Sequence, residues 1–489
     1  MGKSFVRFIN NFVVKFWRIF CICVFLGALI IKAMYNMADF PYFVLNKGID
    51  IVFLVLFVLC YRFLYIKRKW IQQTIRLRWI ILLFSVIAII YILILPIKPF
   101  SDMQQVTEGA LLFSKMDIQG IINSGYLQYV TKNLKVSLFY GILGLFMPKT
   151  VFSFRMINIG IYILISYFIA KIAKNLGFIY TNITFIYTAS FLPLLLYCNH
   201  IYFDLPTFLF CVIAIYIYTK NEEKPIKSLL LCCLFLGLAC CMRVLAYIFL
   251  IAILADYLFN TRKEKQSLNK KIFTVILCCV MACSIPLIFD KTINHYFRAE
   301  GAQDESIWTL FWMGINEYEF GMMHNEILDG NKSFDDFFSL LISRDAKTNI
   351  QLFGKKIFWT WSQGTWQAQR YGFGGDAENA LDKFEYETPV TKFFLNNEQL
   401  VPKLINTICR AQYVALLFYM ILGLKSIIQE NNKQYMVFVY ICFGTFLILI
   451  FYEMKSRYVL HCFLSTLLIA LLGLNRVDRL EFENIKLKS

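Results

Sequence analysis

The segment RWIILLFSVIAIIYILILP (78–96) carries one charged residue, Arg78, at its first position. The rest of the segment is almost entirely apolar and has no helix breaker before Pro96. A helix of about 20 apolar residues spans the hydrocarbon core of a bilayer. The segment therefore predicts a membrane-spanning helix.

Similar apolar segments recur along the 489-residue chain, which is 59% hydrophobic and only 17% charged. A soluble protein of this length could not bury so much apolar surface in a core. We predict an all-α polytopic membrane protein with about twelve transmembrane helices, at 12–32, 49–66, 78–96, 151–170, 178–198, 203–219, 228–242, 244–259, 272–289, 406–424, 434–452 and 458–474. The two short segments on either side of Arg243 could instead be one long helix that is broken there.

Lysine and arginine are concentrated on one side of this predicted topology. The segments 66–79 and 261–271 and both chain ends are basic, and an excess of basic residues marks cytoplasmic loops. Both termini are therefore predicted to be cytoplasmic. The first outer loop, 97–150, and the long segment 290–405 then lie on the opposite, extracytoplasmic side.

The charge of the chain follows the same division. Segment 290–405 holds 11 Lys/Arg and 17 Asp/Glu residues, a net charge of −6, whereas the remainder holds 38 and 15, a net charge of +23. The overall charge of +17 therefore reflects sidedness in a membrane, and we predict no nucleic-acid partner. Segment 290–405 is also rich in aromatic residues, which predicts a folded loop domain.

Several ionisable residues occur at the predicted outer ends of the spans, where such groups are costly and are candidates for function. They are Asp102, Asp204, Arg243, Glu453, Lys455 and Arg457. Each one alone has an ordinary explanation. Asp102 could be a solvated loop residue, Asp204 a helix cap, Arg243 a lipid-headgroup contact, and Glu453 with Arg457 a surface ion pair. Their occurrence on one side of the membrane favours a shared site.

The segments that carry these residues are KPFSDMQQVTEGALLF (98–113), YCNHIYFDLPTFLF (197–210), CMRVLAYIFLIAIL (241–254), SIWTLFWMGINEYEFG (306–321) and YEMKSRYVLHCFLSTLLIALLG (452–473). Their order and sidedness resemble the GT-C superfamily of integral-membrane glycosyltransferases. The resemblance is to the Gram-positive members that are similar to protein O-mannosyltransferases (glycosyltransferase family 39), and it covers roughly residues 78–474. Two spans precede the acidic loop here, and Met103 stands where protein mannosyltransferases have a second acid, which counts against protein mannosylation.

The resemblance implies transfer of a sugar from a polyprenyl-phosphate donor to a hydroxyl group of a surface glycan at the outer face. We assign Asp102 as the base and Asp204 as a second catalytic carboxylate that orients donor or acceptor. Arg243 and Arg457 are assigned to the lipid phosphate, with Lys132 and Lys135 as further candidates. The remaining predicted substrate contacts are Glu453, Tyr458 and His200. A base that acts opposite the leaving phosphate predicts inversion at the sugar carbon.

No cofactor is assigned, and a divalent cation (Mg²⁺ or Mn²⁺) held by Asp102 and Asp204 is left open. The expected partners are the lipid-linked donor, a surface glycan acceptor such as a teichoic acid or a capsule, and the bilayer. Two alternatives are a repeat-unit polysaccharide polymerase and a transporter or flippase of lipid-linked sugars.

The predicted organisation has four parts. An N-terminal addition of two spans with a basic loop (1–77) precedes the catalytic membrane core (78–289). The extracytoplasmic loop domain (290–405) then leads into a C-terminal bundle of three spans with a cytoplasmic tail (406–489).

Overall fold

The computed structural model of the protein describes residues 3–30, 47–221, 223, 225–260, 267–299, 306–317, 321, 331–373, 383–397 and 400–486. Regular structure within these ranges is helical. The isolated antiparallel bridge between Ile97 and Phe384 is their only strand-like pairing. The prediction of an all-α polytopic membrane fold is confirmed.

The described residues form 23 α-helices. Their bounds are α1 Lys3–Ile30, α2 Lys47–Ile66, α3 Arg68–Thr74, α4 Leu77–Ile94, α5 Ser101–Ser114, α6 Ile118–Ile122, α7 Gly125–Tyr129, α8 Thr131–Gly144, α9 Val151–Asn175, α10 Thr181–Ala189, α11 Leu192–Leu196, α12 Asp204–Lys220, α13 Ile226–Met242, α14 Tyr247–Asn260, α15 Leu268–Tyr296, α16 Ile307–Gly314, α17 Phe334–Ser343, α18 Ala346–Ser362, α19 Ala368–Phe373, α20 Pro389–Asn396, α21 Leu400–Glu430, α22 Met436–Phe451 and α23 Phe463–Lys486.

Every segment predicted to span the membrane is helical over most of its described residues, but the helices differ in length. Eight helices in the described part of the chain are long and apolar enough to cross a bilayer, and a ninth span results if the bent pair Thr181–Ala189 and Leu192–Asn199 is counted. That pair bends by 63°. The remaining predicted segments correspond to Asp204–Lys220 and to two shorter apolar helices, Ile226–Met242 and Val244–Asn260. The prediction of about twelve spans therefore counted these shorter helices as full crossings.

The chain reverses direction at Arg243, so the alternative of one long broken helix is wrong. Helix α13 runs antiparallel to α12, because Cys232 contacts the carbonyl of Ala214 while the start of α13 adjoins the end of α12. Helix α14 runs parallel to α12. Its first turn follows Arg243, which contacts Asp204, and further along the Tyr218 hydroxyl donates to Asp256 at 2.7 Å.

Helices differ sharply in how much of their surface meets other parts of the protein. The apolar window of the span that contains α23 is 94% buried, whereas those of α4 and α15 are only 22% buried. Apolar helices with so little protein cover belong in lipid. Helices α21 and α23 cross closely at Gly423 and Gly473, where a Cβ atom on either residue would collide with a backbone oxygen of the other helix.

The aromatic segment predicted as a loop domain packs on the end of the bundle and shares its hydrophobic core. Trp361 contacts Trp17 of α1 with the ring centroids 4.9 Å apart. Trp366 is buried between Phe191 and Tyr413, at 5.0 and 5.5 Å. Helices α16 to α19 therefore cover the same end of the bundle at which α12 begins and α13 ends.

Candidate active site

A cavity of about 440 Å³ lies at this covered end of the bundle. Its walls are α7 and the start of α8, the turn between α13 and α14, α16, and the segment that joins α22 to α23. Most residues assigned to the site from sequence line it together, namely Asp102, Lys132, Lys135, Arg243, Glu453, Arg457 and Tyr458. Asp204 and His200 do not line it.

Asp102 occupies the first turn of α5 and points into the cavity between two tyrosines. Its Oδ1 accepts a hydrogen bond from the Tyr126 hydroxyl at 2.6 Å, and its Oδ2 accepts one from the Tyr202 hydroxyl at 3.1 Å. The Asn133 side-chain amide donates to the Tyr126 oxygen at 2.7 Å, so the Tyr126 proton is directed toward the carboxylate. A carboxylate has lone pairs beyond these two bonds and can accept a further proton.

The surroundings of Asp102 favour its ionised form. Burial raises the pKa of this carboxyl. Four neighbours lower it by more than burial raises it: the hydrogen bond from Tyr126, the cations Lys455 and Arg457, and the hydroxyl of Tyr202. The pKa of Asp102 therefore lies below its ordinary value. The side chain is a carboxylate at neutral pH and is able to act as a proton acceptor.

Asp204 lies behind the cavity wall, where it holds Arg243. Its Oδ1 accepts a hydrogen bond from the guanidinium of Arg243, and its Oδ2 is 3.6 Å from Nδ1 of His200. Asp204 and His200 are almost completely buried. The imidazole of His200 stacks on the ring of Tyr371 with the centroids 3.8 Å apart. Burial and three nearby arginines hold the pKa of His200 well below its ordinary value, so its ring is neutral.

The two arginines of the site lie against the same aromatic rings. Arg243 is 4.8 Å from the ring centre of Phe203 and 4.4 Å from that of Tyr458, and Arg457 is 5.6 and 5.9 Å from the same two rings. Arg457 also donates a hydrogen bond to the hydroxyl of Tyr371 at 2.7 Å. One buried nitrogen on each guanidinium, Nη2 of Arg243 and Nε of Arg457, has no hydrogen-bond partner among the described residues. Both guanidinium groups place positive charge at the cavity wall, which favours an anion there.

A second carboxylate, Glu453, lines the cavity from the segment between α22 and α23. It accepts one hydrogen bond from the Tyr458 hydroxyl and forms an ion pair of 2.5 Å with Lys455. Burial raises the pKa of Glu453, but Lys455, Tyr458 and Arg457 outweigh it, so the pKa lies below its ordinary value. Both oxygens of Glu453 are thus engaged by donors that belong to the protein.

Residues 137–289 match the family model of dolichyl-phosphate-mannose-protein mannosyltransferases. This match supports a membrane glycosyltransferase of the GT-C type. The matched region covers about a third of the chain, from within α8 to within α15, and contains Asp204 and Arg243. No curated protein and no solved structure matches the chain.

Sequence reasoning missed several residues of this candidate site. Tyr126, Tyr202 and Tyr371 contact the assigned acid or arginine, and Lys356 supports the cavity wall. Tyr202 stands two residues before Asp204, so the quoted segment 197–210 contained a signal for it. Tyr371 and Lys356 belong to stretches far from any assigned residue, and Tyr126 lies six residues before Lys132. Nothing in their local sequence separates the three from core or interfacial residues.

Lys356 joins two walls of the cavity from behind. This buried lysine of α18 donates hydrogen bonds to the carbonyl oxygen of Gly314 at 2.5 Å and to that of Tyr452 at 2.8 Å. Gly314 ends α16, and Tyr452 precedes Glu453. The backbone amide of Met454 donates to the carbonyl of Gly321 at 2.6 Å and adds a second link between the same walls.

The residues present do not form the divalent-cation site that was left open for Asp102 and Asp204. The guanidinium of Arg243 donates a hydrogen bond to Asp204, and two tyrosine hydroxyls donate hydrogen bonds to Asp102. In the described ranges, no group of three or more His, Cys, Asp or Glu side chains converges in a way that could hold a metal ion. The positive charge of the Arg243 guanidinium disfavours a second cation at Asp204.

Proposed function

We propose that this glycosyltransferase moves a sugar from a polyprenyl-phosphate donor to a hydroxyl group of a cell-surface glycan. The observation that carries the proposal is that a carboxylate, Asp102, and two guanidinium groups, Arg243 and Arg457, line one cavity. A carboxylate suits the abstraction of a proton, and guanidinium groups suit a phosphate that gains charge as it leaves. The matching family is named for a dolichyl-phosphate donor, which also supports a lipid phosphate here.

In the proposed step, the acceptor oxygen attacks the anomeric carbon of the donor while the bond from that carbon to the phosphate oxygen breaks. The hydroxyl proton passes to Asp102, and the bonding electron pair leaves with the polyprenyl phosphate. Arg243 and Arg457 stabilise the developing negative charge through the positive charge that they place at the cavity wall. Attack from the side opposite the phosphate inverts the anomeric configuration.

The other assigned residues take supporting roles in this proposal. Asp204 and His200 hold Arg243 in place from behind the wall and do not touch substrate. Glu453 and Tyr458 position Lys455 and the aromatic surface on which both arginines lie. Lys132 and Lys135 line the same cavity and add positive charge for the lipid phosphate.

We also propose that the cavity faces the outside of the cell and that both termini are cytoplasmic. The distribution of basic residues supports this orientation. At the end of the bundle opposite the cavity, Arg62 and Arg68 both pair with Asp478, at 3.1 and 2.6 Å, so predicted cytoplasmic residues gather there. Single cysteines introduced at Lys69 and Lys347 into a cysteine-free variant should react with impermeant reagents from opposite sides of intact cells.

Reconstituted protein provides the decisive test of the chemistry. Liposomes that contain the protein, a polyprenyl-phosphate sugar and an acceptor glycan should release polyprenyl phosphate and yield the glycan with inverted linkage. If the protein moves the lipid-linked sugar across the bilayer without breaking the glycosyl–phosphate bond, the transporter alternative is correct. If transfer requires an acceptor that is itself a lipid-linked repeat unit, the enzyme is a polymerase.

A further inference from the structure

The ion pair between Lys135 and Asp290 connects the cavity to the surface that faces the membrane. Lys135 belongs to α8 and lines the cavity, and its ammonium group contacts the carboxylate of Asp290 on α15. The Lys135 side chain is 12% exposed and that of Asp290 is 42% exposed. The pair therefore has its cation at the cavity wall and its anion at the outside of the bundle.

The surface around Asp290 is apolar. Leu287 and Ile288, on the same helix, are 62% and 63% exposed, and α15 as a whole has little protein cover. Asp290 lies near the C-terminal end of this helix, which ends at Tyr296. A carboxylate at the edge of a lipid-facing span is costly, and such residues are candidates for function.

The cavity itself has an apolar side that reaches the same surface. Cys240, Cys241 and Met242, at the end of α13, line it, and so does Val244, which is 43% exposed. Helix α13 packs against both α8 and α15, which carry the two members of the ion pair. A hydrocarbon chain resting against this apolar side would place a charged headgroup beside Lys135.

We propose that the lipid-linked donor enters the cavity sideways from the bilayer, between α8 and the turn at Val244, and that its phosphate displaces Asp290 from Lys135. Asp290 thus neutralises Lys135 while the cavity is empty and competes with the incoming anion. This inference rests on the proposed function, because it takes the donor to be a lipid phosphate. It assigns to Asp290 a positioning role, because the carboxylate holds Lys135 at the cavity wall until an anion takes its place.

Binding of polyprenyl phosphate without a sugar tests this exchange directly. We suggest measuring its affinity for the full chain in nanodiscs by native mass spectrometry. In Asp290→Asn, the affinity should rise by about two- to fivefold, as expected for removing a half-exposed competitor. In Lys135→Met, the affinity should fall by a similar factor. The double variant should match Lys135→Met, because Asp290 acts only through Lys135.

The exposed pair Lys392–Glu387 on and beside α20 is a matched control, since its side chains are 62% and 61% exposed. Lys392→Met and Glu387→Gln should leave the affinity unchanged. If Asp290→Asn lowers the thermal stability and leaves the affinity unchanged or weaker, the pair is only a structural tie and the proposal is wrong. Inorganic phosphate should compete poorly, and equal competition would overturn entry from the bilayer.

This readout separates the two proposals. A wild-type protein that binds polyprenyl phosphate with the predicted dependence on Asp290, yet never breaks a glycosyl–phosphate bond, refutes the proposed function and leaves the entry route intact. If the protein transfers sugar but Asp290→Asn leaves the binding of polyprenyl phosphate unchanged, the proposed function stands and the proposed entry route is wrong.

Discussion

Arg243 donates a hydrogen bond to the carboxylate of Asp204, which lies behind the cavity that Arg243 lines. Both side chains are nearly inaccessible to solvent, at 1% for Asp204 and 6% for Arg243. The sequence alone suggested two carboxylates that act on substrate together. In the structure the two carboxylates have different positions: Asp102 lines the cavity, whereas Asp204 lies behind its wall and contacts Arg243.

Asp102→Asn should abolish most of the transfer activity while the protein stays folded. Loss of a general base typically costs about 10²- to 10⁴-fold in rate. The asparagine amide still fits between the Tyr126 and Tyr202 hydroxyls, so thermal stability should change little. Rates of polyprenyl phosphate release check this, and Glu108→Gln on the exposed side of the same helix is the control. Full activity in Asp102→Asn would exclude it as the base.

The acidic side of the pH–activity profile (its acid limb) should depend on Tyr126. The pKa of Asp102 lies below its ordinary value, so activity should persist as the pH falls and be lost only as the pH reaches this lowered pKa. Tyr126→Phe removes the largest interaction that lowers the pKa, and the acid limb of kcat/KM should move to higher pH. Tyr129→Phe alters a neighbouring tyrosine that contacts Asn331 instead, and its acid limb should stay in place. Identical profiles for all three proteins would contradict the assignment.

The fold was largely predictable because each helix in a membrane must be apolar along its length. Such segments are readable without knowledge of their neighbours. The bend between α10 and α11 has one local signal, Pro193 in the first turn of α11, because proline interrupts a helix and favours a new helix start. The break itself lies at Ser190 and Phe191, where the side chain of Gln412, from a distant helix, accepts a hydrogen bond from the Leu192 amide and donates one to the Ser190 carbonyl. Those tertiary contacts, unlike the proline, leave no local pattern.

The site was predictable only where its chemistry is unusual for a membrane. Asp102, Arg243 and Arg457 are conspicuous because charges are rare near the spans. Tyr126 and Tyr371 are not, since tyrosines are common at membrane boundaries and in cores. Their roles follow from contacts between segments that are remote in sequence, as in the hydrogen bond from Arg457 to Tyr371.

Transfer should continue after metal ions are removed. Asp102 accepts hydrogen bonds from two tyrosine hydroxyls, and Asp204 accepts one from the cationic guanidinium of Arg243. These contacts do not favour a divalent cation between the two carboxylates. We expect the rate in excess EDTA to equal the rate in added Mg²⁺ or Mn²⁺. A loss of activity in EDTA that Mg²⁺ restores would show that a cation takes part, bound by the substrate or by residues outside this cluster.

Lys356→Met should destabilise the protein and disturb the cavity without touching substrate. The substitution leaves the buried carbonyls of Gly314 and Tyr452 without their donor, at a cost of about 2–4 kcal/mol in the free energy of unfolding. The adjoining Lys355 is exposed, and Lys355→Met should change stability by less than about 0.5 kcal/mol. Thermal unfolding in detergent compares the two. Equal stability of both variants would show that Lys356 does not hold the walls together.

The pair Asp204–Arg243 allows stability and catalysis to be separated. Asp204→Asn leaves a buried guanidinium without its counter-charge, which should cost about 3–5 kcal/mol of stability and lower the transfer rate. The double variant Asp204→Asn/Arg243→Met removes both charges, so much of the stability should return. Its activity should not return, because Arg243 is proposed to bind the leaving phosphate. Thermal unfolding and transfer rates of the three variants decide the matter: if activity recovers together with stability, Arg243 serves only the fold, and Arg457 alone remains for the phosphate.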